Sequence, residues 1–427
     1  MSQSTEKSCD VVVIGGGPAG SAAATVLARR GARVIICERE RFPRFHVGES
    51  LLPYQASVLA RLGLTEKIAD GCFVPKYGAY FMANDGSACS EVDFGRLLKP
   101  PFTYAYQVER SKFDHILLRH AAASGAEVLE EHAVVETELA CEKCRVTVRA
   151  SDGSDLILNA RWVLDASGQG SFLARRLNLR ENAQDLKKVA HFAHFRGGQR
   201  RTGREEGHIT LVFGAGCWFW HIPLSDNRAS VGCVVDHHQW KGSGQKADEF
   251  LASMIAASPW LAGWLEGSEQ ITDVHTVANF SYTAQRFVGP GWALVGDAAT
   301  FLDPVFSTGV LLALRSGELA GSLLADRISR ARPLTEATLA PYEKKMRRWS
   351  TGYFELIRAF YKPQFARIFF NPVDFFQRPI THFLGGRLEL GLRHRLIIRL
   401  FHLLVRFNPY LHIVPEPRSA EASIPHG

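Results

Sequence analysis

This sequence of 427 residues has no run approaching the roughly 18 uninterrupted apolar residues of a membrane-spanning helix. Its opening Met-Ser-Gln-Ser-Thr-Glu-Lys-Ser also lacks an apolar signal core. The expectation is a cytoplasmic chain that enters its fold directly. Internal repeats and low-complexity segments are missing, which argues against a repeat architecture. Cysteine is sparse and scattered: of 8 in the chain, only Cys141 and Cys144 are closely spaced. With no second pair and no histidine partner they make a poor zinc or redox site, so reduced thiols are expected. No nucleic-acid-binding module is recognisable, and nucleic acid is not an expected partner. What remains is the composition of an ordinary globular protein, long enough for about two or three domains. Its net charge of +7 favours anionic ligands or acidic protein partners without choosing among them.

The most informative stretch is the first forty residues. Asp10-Val-Val-Val-Ile14 is a continuous apolar run, as expected of a parallel strand buried on both faces. It leads straight into Gly15-Gly-Gly17-Pro-Ala19-Gly20, an Ala-rich helix over about 21–30, a stop at Gly31, and a second strand ending at Glu38. In this G-x-G-x-x-G context Gly15 makes the tight turn, Gly17 lets backbone approach a pyrophosphate, and Gly20 allows close helix–strand packing. The pyrophosphate sits on unsatisfied amides of the helix N-terminus, and Glu38 accepts hydrogen bonds from a ribose.

Further on, Pro75 to Phe81 reads as the start of a strand, and Gln107 opens a helix that runs past Ile116. Short strands follow up to Arg161-Trp-Val-Leu-Asp165, which ends in the tight loop Ala166-Ser-Gly168. Residues 189–285 alternate like antiparallel strands, interrupted by a helix over 247–257. Gly291 to Gly296 returns to the buried-strand type, and 309–329 is a long helix. Asp297 suits a second phosphate–ribose contact, or an N-cap. From Pro333 the chain is helical, basic and aromatic; a helical cap on the core is the plainer reading, with a partner or membrane surface as the alternative.

The opening motif, the Asp165 loop and the Gly296-Asp297 pair, in that order, resemble the FAD-binding two-domain flavoproteins typified by p-hydroxybenzoate hydroxylase. Phe301-Leu-Asp-Pro304-Val-Phe306-Ser307-Thr308-Gly309 fits F-x-x-P-x-x-S-x-G, and Trp218-Phe-Trp220-His-Ile222-Pro223 fits W-x-W-x-I-P. Both patterns resemble those of flavin-dependent halogenases. The resemblance implies an α/β fold: a Rossmann-like FAD-binding domain (8–75, 106–175 and 286–330) interleaved with an antiparallel-sheet substrate domain (76–105 and 176–285). A C-terminal helical region (331–427) follows.

The same resemblance implies FAD, used as FADH2, and a halide ion. Its cofactor contacts fall on Gly15, Gly17, Ala19, Gly20, Glu38, Ser50, Arg110, Asp297, Pro304 and Gly309. The family chemistry makes a flavin C4a-hydroperoxide, which halide attacks to give hypohalous acid. Ser307, Thr308 and Gly309 correspond to the halide site, Trp218, Trp220 and Phe306 to the tunnel and substrate site, and Lys76 to the lysine that receives the acid. That chemistry needs a desolvated lysine, whose pKa burial lowers; standing alone, Lys76 would read as a surface charge, and the tryptophans as core aromatics. Phe306 occupies the position where tryptophan-specific members carry a glutamate. This form resembles the branch acting on phenols and pyrroles, often tethered to carrier proteins, and the tail is short for some members. No second dinucleotide fingerprint is present, which implies a separate flavin reductase. The competing readings on this scaffold are an NAD(P)H-dependent aromatic hydroxylase or epoxidase and a prenyl reductase, which shares the 107–114 type of segment.

Overall fold

The first strand, Thr5–Ile14, lies at the centre of a mostly parallel sheet because both its neighbours run in its own direction. Val34–Cys37 pairs on one side and Asp155–Asp165 on the other. Glu127–Leu129 extends the sheet beyond the former and Trp292–Leu294 beyond the latter, also in parallel. Parallel neighbours need a crossover, and the helix Pro18–Arg29 supplies the first. Val11, Val12 and Val13 are completely buried, so both faces of the strand are covered. Each such side chain contributes about 1.5–3 kcal/mol, which is why the run shows no alternation. Two antiparallel strands, Cys144–Ala150 and His132–Glu138, extend the sheet from Asp155–Asp165. The computed structural model describes residues 5–362, 365, 370, 374–389, 391–393, 396–401 and 403.

Pro18–Arg29 packs against the long helix Gly309–Ser329 with backbone almost touching backbone. A Cβ on Gly317 would lie 2.1 Å from the Ala19 carbonyl oxygen, and one on Gly321 2.8 Å from that of Ala23. The two glycines therefore set the helix spacing, and with it the place where both N-termini meet the sheet.

The second sheet has the order 269–270, 188–196, 228–236, 217–223, 209–214, 78–83, 89–93, with 275–278 also on 188–196. One face, with Phe192, Trp218, Trp220 and Val234, joins the core shared with the first sheet. The other, with Val189, Phe219, Val231 and Val235, is covered by the helix Ala247–Ala256 through Phe250 and Leu251.

Three expectations need correction. The sheet is not wholly antiparallel: Ile209–Gly214 pairs in parallel with Gly78–Ala83, Ile209 opposite Ala79, because the earlier segment crosses over to reach that edge. Residues 75–81 are not one strand. They divide at Tyr77 into Val74–Lys76, paired with Ala105–Gln107, and Gly78–Ala83 in the large sheet. The helix expected from Gln107 opens at Arg110, because Gln107 already pairs with Val74 and bridges to Ser50.

Glu336–Phe360 is a helix of 25 residues whose Leu339, Tyr342, Met346, Trp349, Tyr353 and Ile357 are buried. The Tyr342 hydroxyl donates to the Leu294 carbonyl of the first sheet. This part of the tail is a cap on the core.

Candidate functional site

The end of the first strand forms a cradle made of main chain. Gly15 has φ +100°, and a Cβ there would meet the Ala166 carbonyl oxygen at 2.6 Å. A Cβ on Gly20 would sit 2.0 Å from the Gly15 carbonyl oxygen. Gly17 differs: nothing but the Arg44 Nη2 atom, at 3.6 Å, comes near an added Cβ. The protein itself does not demand a glycine there, so the space is left for something else. The helix beginning at Pro18 has no side-chain cap and no acid in its first turn. Its first amides remain available to an anion.

Around this cradle stand charged groups from distant segments. Glu38 is buried at the end of its strand, where it accepts the Gly16 amide at 2.7 Å and the Glu40 amide at 2.9 Å. Gly296, which precedes Asp297, packs against Ala19, since a Cβ on it would lie 2.9 Å from the Ala19 Cβ. The half-buried Asp297 carboxyl is pushed up to about 7 by loss of water, against the opposing pull of Arg110. Arg110 grips Asp114 through Nε and Nη2, both at 2.8 Å, and donates to the Val47 carbonyl at 2.7 Å. Burial alone would raise Asp114, but the Arg110 guanidinium outweighs it and holds that carboxyl below its ordinary range.

Arg44 was not visible to sequence reasoning. It forms ion pairs with Asp114 through Nη1 and with Glu40 through Nε, both at 3.3 Å. The only sequence signal is a third arginine soon after Glu38; its approach to Gly17 is purely spatial. Glu49 was likewise missed: buried, it meets His194 Nε2 at 2.7 Å and ties this loop to the second sheet.

The second loop, Phe301 to Gly309, is shaped by Asp303, whose Oδ1 accepts the Val305 amide at 3.0 Å. Pro304–Phe306 forms one turn, and Ser307 follows at φ +56° with its amide donating to the Pro304 carbonyl at 3.0 Å. That bond occupies the Ser307 amide and leaves those of Thr308 and Gly309 at the uncapped start of Gly309–Ser329. Among the described residues nothing lies within 4 Å of a Cβ placed on Gly309. Phe306 is buried, with its ring 5.6 Å from that of Phe360 and 6.3 Å from that of Phe365.

Lys76 is 2% exposed. Its Nζ donates to Ser50 Oγ at 2.8 Å and to the Leu51 carbonyl at 3.0 Å. Burial lowers its pKa to about 7, with no carboxylate to oppose the shift. Ser50, expected among the cofactor contacts, is thus engaged by Lys76. Trp218 and Trp220 stand side by side on the sheet face toward the core, 5.7 Å between rings. Gly232 makes room for Trp220, as a Cβ there would meet the ring at 2.3 Å. The Trp220 Nε1–H donates to Ser230 Oγ at 3.2 Å and that of Trp218 to the Tyr361 hydroxyl at 3.1 Å. Cys141 and Cys144 hold no metal cluster among the described residues, and the Cys144 thiol turns to the Ala140 and Gly291 carbonyls.

The FAD binding domain family model matches residues 8–353. A chlorinase of 1H-pyrrole-2-carbonyl-peptidyl-carrier protein from Pseudomonas fluorescens is 31% identical over 90% of this chain and 90% of its own length. The chain belongs to the flavin-dependent halogenases. A tryptophan 2-halogenase from Chondromyces crocatus is 32% identical over 83% of this chain and 68% of its own. Among solved structures, the myxobacterial chondrochloren halogenase CndH superposes with a TM-score of 0.78 at 31% identity, covering 94% of this chain and 97% of that one. The halogenase takes FAD as its cofactor, and the cradle fits it. The open space over Gly17, the bare helix start, the Arg44 guanidinium 3.6 Å from a Cβ on Gly17 and the carboxylates of Glu38 and Asp297 match a dinucleotide's phosphates and riboses.

Proposed function

We propose that this halogenase acts on an electron-rich aromatic ring, a pyrrole or phenol, presented on an acyl or peptidyl carrier protein. The observation that carries the reading is Lys76, a buried lysine with no carboxylate beside it among the described residues. Bound reduced FAD, with dioxygen and halide, supplies the oxidised halogen as hypohalous acid. Gly15, Gly17, Ala19 and Gly20 bring main chain to the pyrophosphate, while Glu38 and Asp297 hold riboses or the ribityl chain. Arg44 neutralises phosphate, and Arg110 braces the loop through Asp114. Pro304 turns the second loop toward the flavin, and the Thr308 and Gly309 amides hold halide.

Trp218, Trp220 and Phe306 wall the passage toward Lys76. Near neutral pH that lysine is present in both forms. The ammonium donates a hydrogen bond to hypohalous acid and polarises it. The neutral amine attacks the halogen, forming an N–halogen bond as hydroxide leaves and takes the amine proton as water. Either form then delivers an electrophilic halogen to the ring.

Sequence identity does not choose the substrate, since a pyrrole-carrier chlorinase and a tryptophan halogenase are about equally similar. Phe306 supports the choice: it provides no carboxylate to help a less activated ring, so free tryptophan is expected to be a poor substrate. Two observations support the carrier. One relative's substrate is a pyrrole on a peptidyl carrier protein. In addition, exposed Leu392, Leu396, Leu400 and Leu403 are accompanied by exposed Arg393 and Arg399, a face suited to an acidic, partly apolar partner. Arg395 and Arg406, expected to join them, lie outside the described residues. No helix among the described residues is long and apolar enough to cross a membrane; an anionic membrane surface is the competing occupant of that face. A separate flavin reductase supplies FADH2. The compartment proposed is the cytoplasm, where its free cysteines would stay reduced.

The test incubates the protein with FADH2, dioxygen and bromide, offering pyrroles and phenols both free and on an acidic carrier protein. Brominated carrier-bound product is expected, falling as salt rises, because exposed charges are screened beyond roughly 8–10 Å. A hydroxylated product would overturn the reaction class. Equal, salt-insensitive turnover of both forms would leave a free small molecule as substrate, and vesicle binding without carrier binding would assign the basic face to a membrane.

A further inference from the structure

The end of the helix Glu336–Phe360 bridges the Phe301–Gly309 loop and the tryptophan wall twice, once with a ring and once with a hydroxyl. The Phe360 ring makes edge contacts with Phe306 at 5.6 Å and with Trp218 at 6.0 Å. The next residue, Tyr361, accepts the Trp218 Nε1–H at 3.1 Å and donates its own hydroxyl proton to Asp303 Oδ2 at 2.7 Å. The other oxygen of Asp303 caps the turn that leads to Ser307, Thr308 and Gly309. One row, Trp218 to the half-buried Tyr361 to Asp303 to the Val305 amide, therefore joins three distant chain segments. Lys188 Nζ lies 4.2 Å from the Tyr361 ring centroid, held by Asp236 at 2.8 Å.

Burying a carboxylate here is not the cheapest way to fill space. Burial pushes Asp303 up to about 6, against the Tyr361 and Val305 hydrogen bonds that favour its charged form. Well-packed apolar residues often serve stability as well as a buried polar pair, so such a pair is better suited to fixing geometry than to adding stability. The bond from Tyr361 to an ionised carboxylate is charge-assisted and directional. It sets both the loop conformation and the indole plane of Trp218.

We propose that Asp303 and Tyr361 are positioning residues that keep the halide loop and the Trp218 wall in register, so that hypohalous acid is retained on its way to Lys76. This inference rests on the relay to Lys76 proposed above. Neither side chain takes part in forming or breaking a bond. Their loss opens a gap beside the wall, through which oxidised halogen escapes.

The decisive variant is Tyr361→Phe, which removes one oxygen and keeps the ring, with Asp303→Asn as its companion and Lys76→Ala as the control. Each is measured as FAD-loaded protein of parent-like melting temperature, for FADH2 reoxidation, for product per FADH2 oxidised, and for halogen captured by a diffusible trap. For Tyr361→Phe, reoxidation at the parent rate is expected. Product per FADH2 should fall about tenfold, as for the loss of one orienting hydrogen bond, and the missing halogen should appear on the trap. Asp303→Asn should behave likewise if it folds. Unchanged coupling in Tyr361→Phe, while Lys76→Ala uncouples, would overturn this inference and spare the relay. Reoxidation and product falling together would show a merely structural role and also overturn it. Full coupling in all three variants would remove the relay, and this inference with it.

Discussion

Around Gly15–Gly20 the atoms facing the nucleotide space are main-chain amides, and the glycines matter by leaving room. Around Lys76 the atoms are side chains and carbonyls drawn from distant segments: Ser50 and Leu51 bond its Nζ, and the Phe94 ring lies 5.6 Å away. The first arrangement costs the fold little, because the amides at a helix start have no internal acceptor in any case. The second buries groups that water would otherwise solvate. Lys76 is the clearest case, with its pKa lowered by burial alone. A binding site can thus be made from backbone that the fold supplies anyway, whereas the proposed halogen-handling site holds polar groups where stability alone would place apolar ones.

Two glycines three residues apart, Gly17 and Gly20, give the largest contrast. Gly20→Val should not yield folded protein, because even its Cβ would sit 2.0 Å from the Gly15 carbonyl oxygen. Gly17→Val has room and an ordinary φ of −68°, so it should fold with a near-parent melting temperature. Its FAD affinity should nonetheless fall by about a hundredfold or more, since the side chain displaces the pyrophosphate. Thermal melts alongside FAD titrations separate the two. FAD retention by Gly17→Val would break the backbone-cradle half of the comparison.

The opposite half is sharpened by Lys76→Met. Shifting a lysine from 10.5 to about 7 costs on the order of 4 kcal/mol at neutral pH. Removing its bonds to Ser50 Oγ and the Leu51 carbonyl gives back about 1 kcal/mol each. The variant should therefore be at least as stable as the parent at pH 7. The sign follows from linkage. The unfolded chain keeps the lysine proton up to 10.5 and the folded chain only to about 7, so parent stability rises with pH between those values. The variant's advantage should be constant below pH 7 and fade toward 10.5. Denaturant unfolding at several pH values checks it, and a variant less stable than the parent at pH 7 would contradict the account of burial.

Much of the cradle was legible because its information is local: a strand, three spaced glycines, a helix and an acid follow one another within thirty residues. The helix Gly309–Ser329 was legible for the same reason, from the periodicity of its own apolar residues. Lys76 was not legible from its neighbours. Standing alone, Lys76 reads as a surface charge, and Ser50 and Leu51, which hold its Nζ, arrive from a separate turn. Only resemblance to a family marked it. The parallel pairing of 209–214 with 78–83 was missed because alternation reveals which residues share a face, not which strand lies alongside. Arg44 was missed because its approach to Gly17 exists only in space.

A smaller effect divides the loop at the start of Gly309–Ser329. If amides hold halide there, Thr308→Ala should change the halide dependence of FADH2 reoxidation by no more than about twofold, since it keeps both amides. Gly309→Val places a side chain in open space, so the helix should survive while the halide half-saturation rises about tenfold. Equal behaviour of the two variants would show that this loop works through side chains, as the lysine region does.

The central claim is that oxidised halogen passes from the flavin side to Lys76 before it reaches the ring. Its most direct test is the amount of halogenated product formed per FADH2 oxidised by FAD-loaded Lys76→Met in a single turnover. The account requires parent-like FADH2 oxidation with no halogenated product, the oxidised halogen escaping to solution. Product at the parent yield from that variant would contradict it.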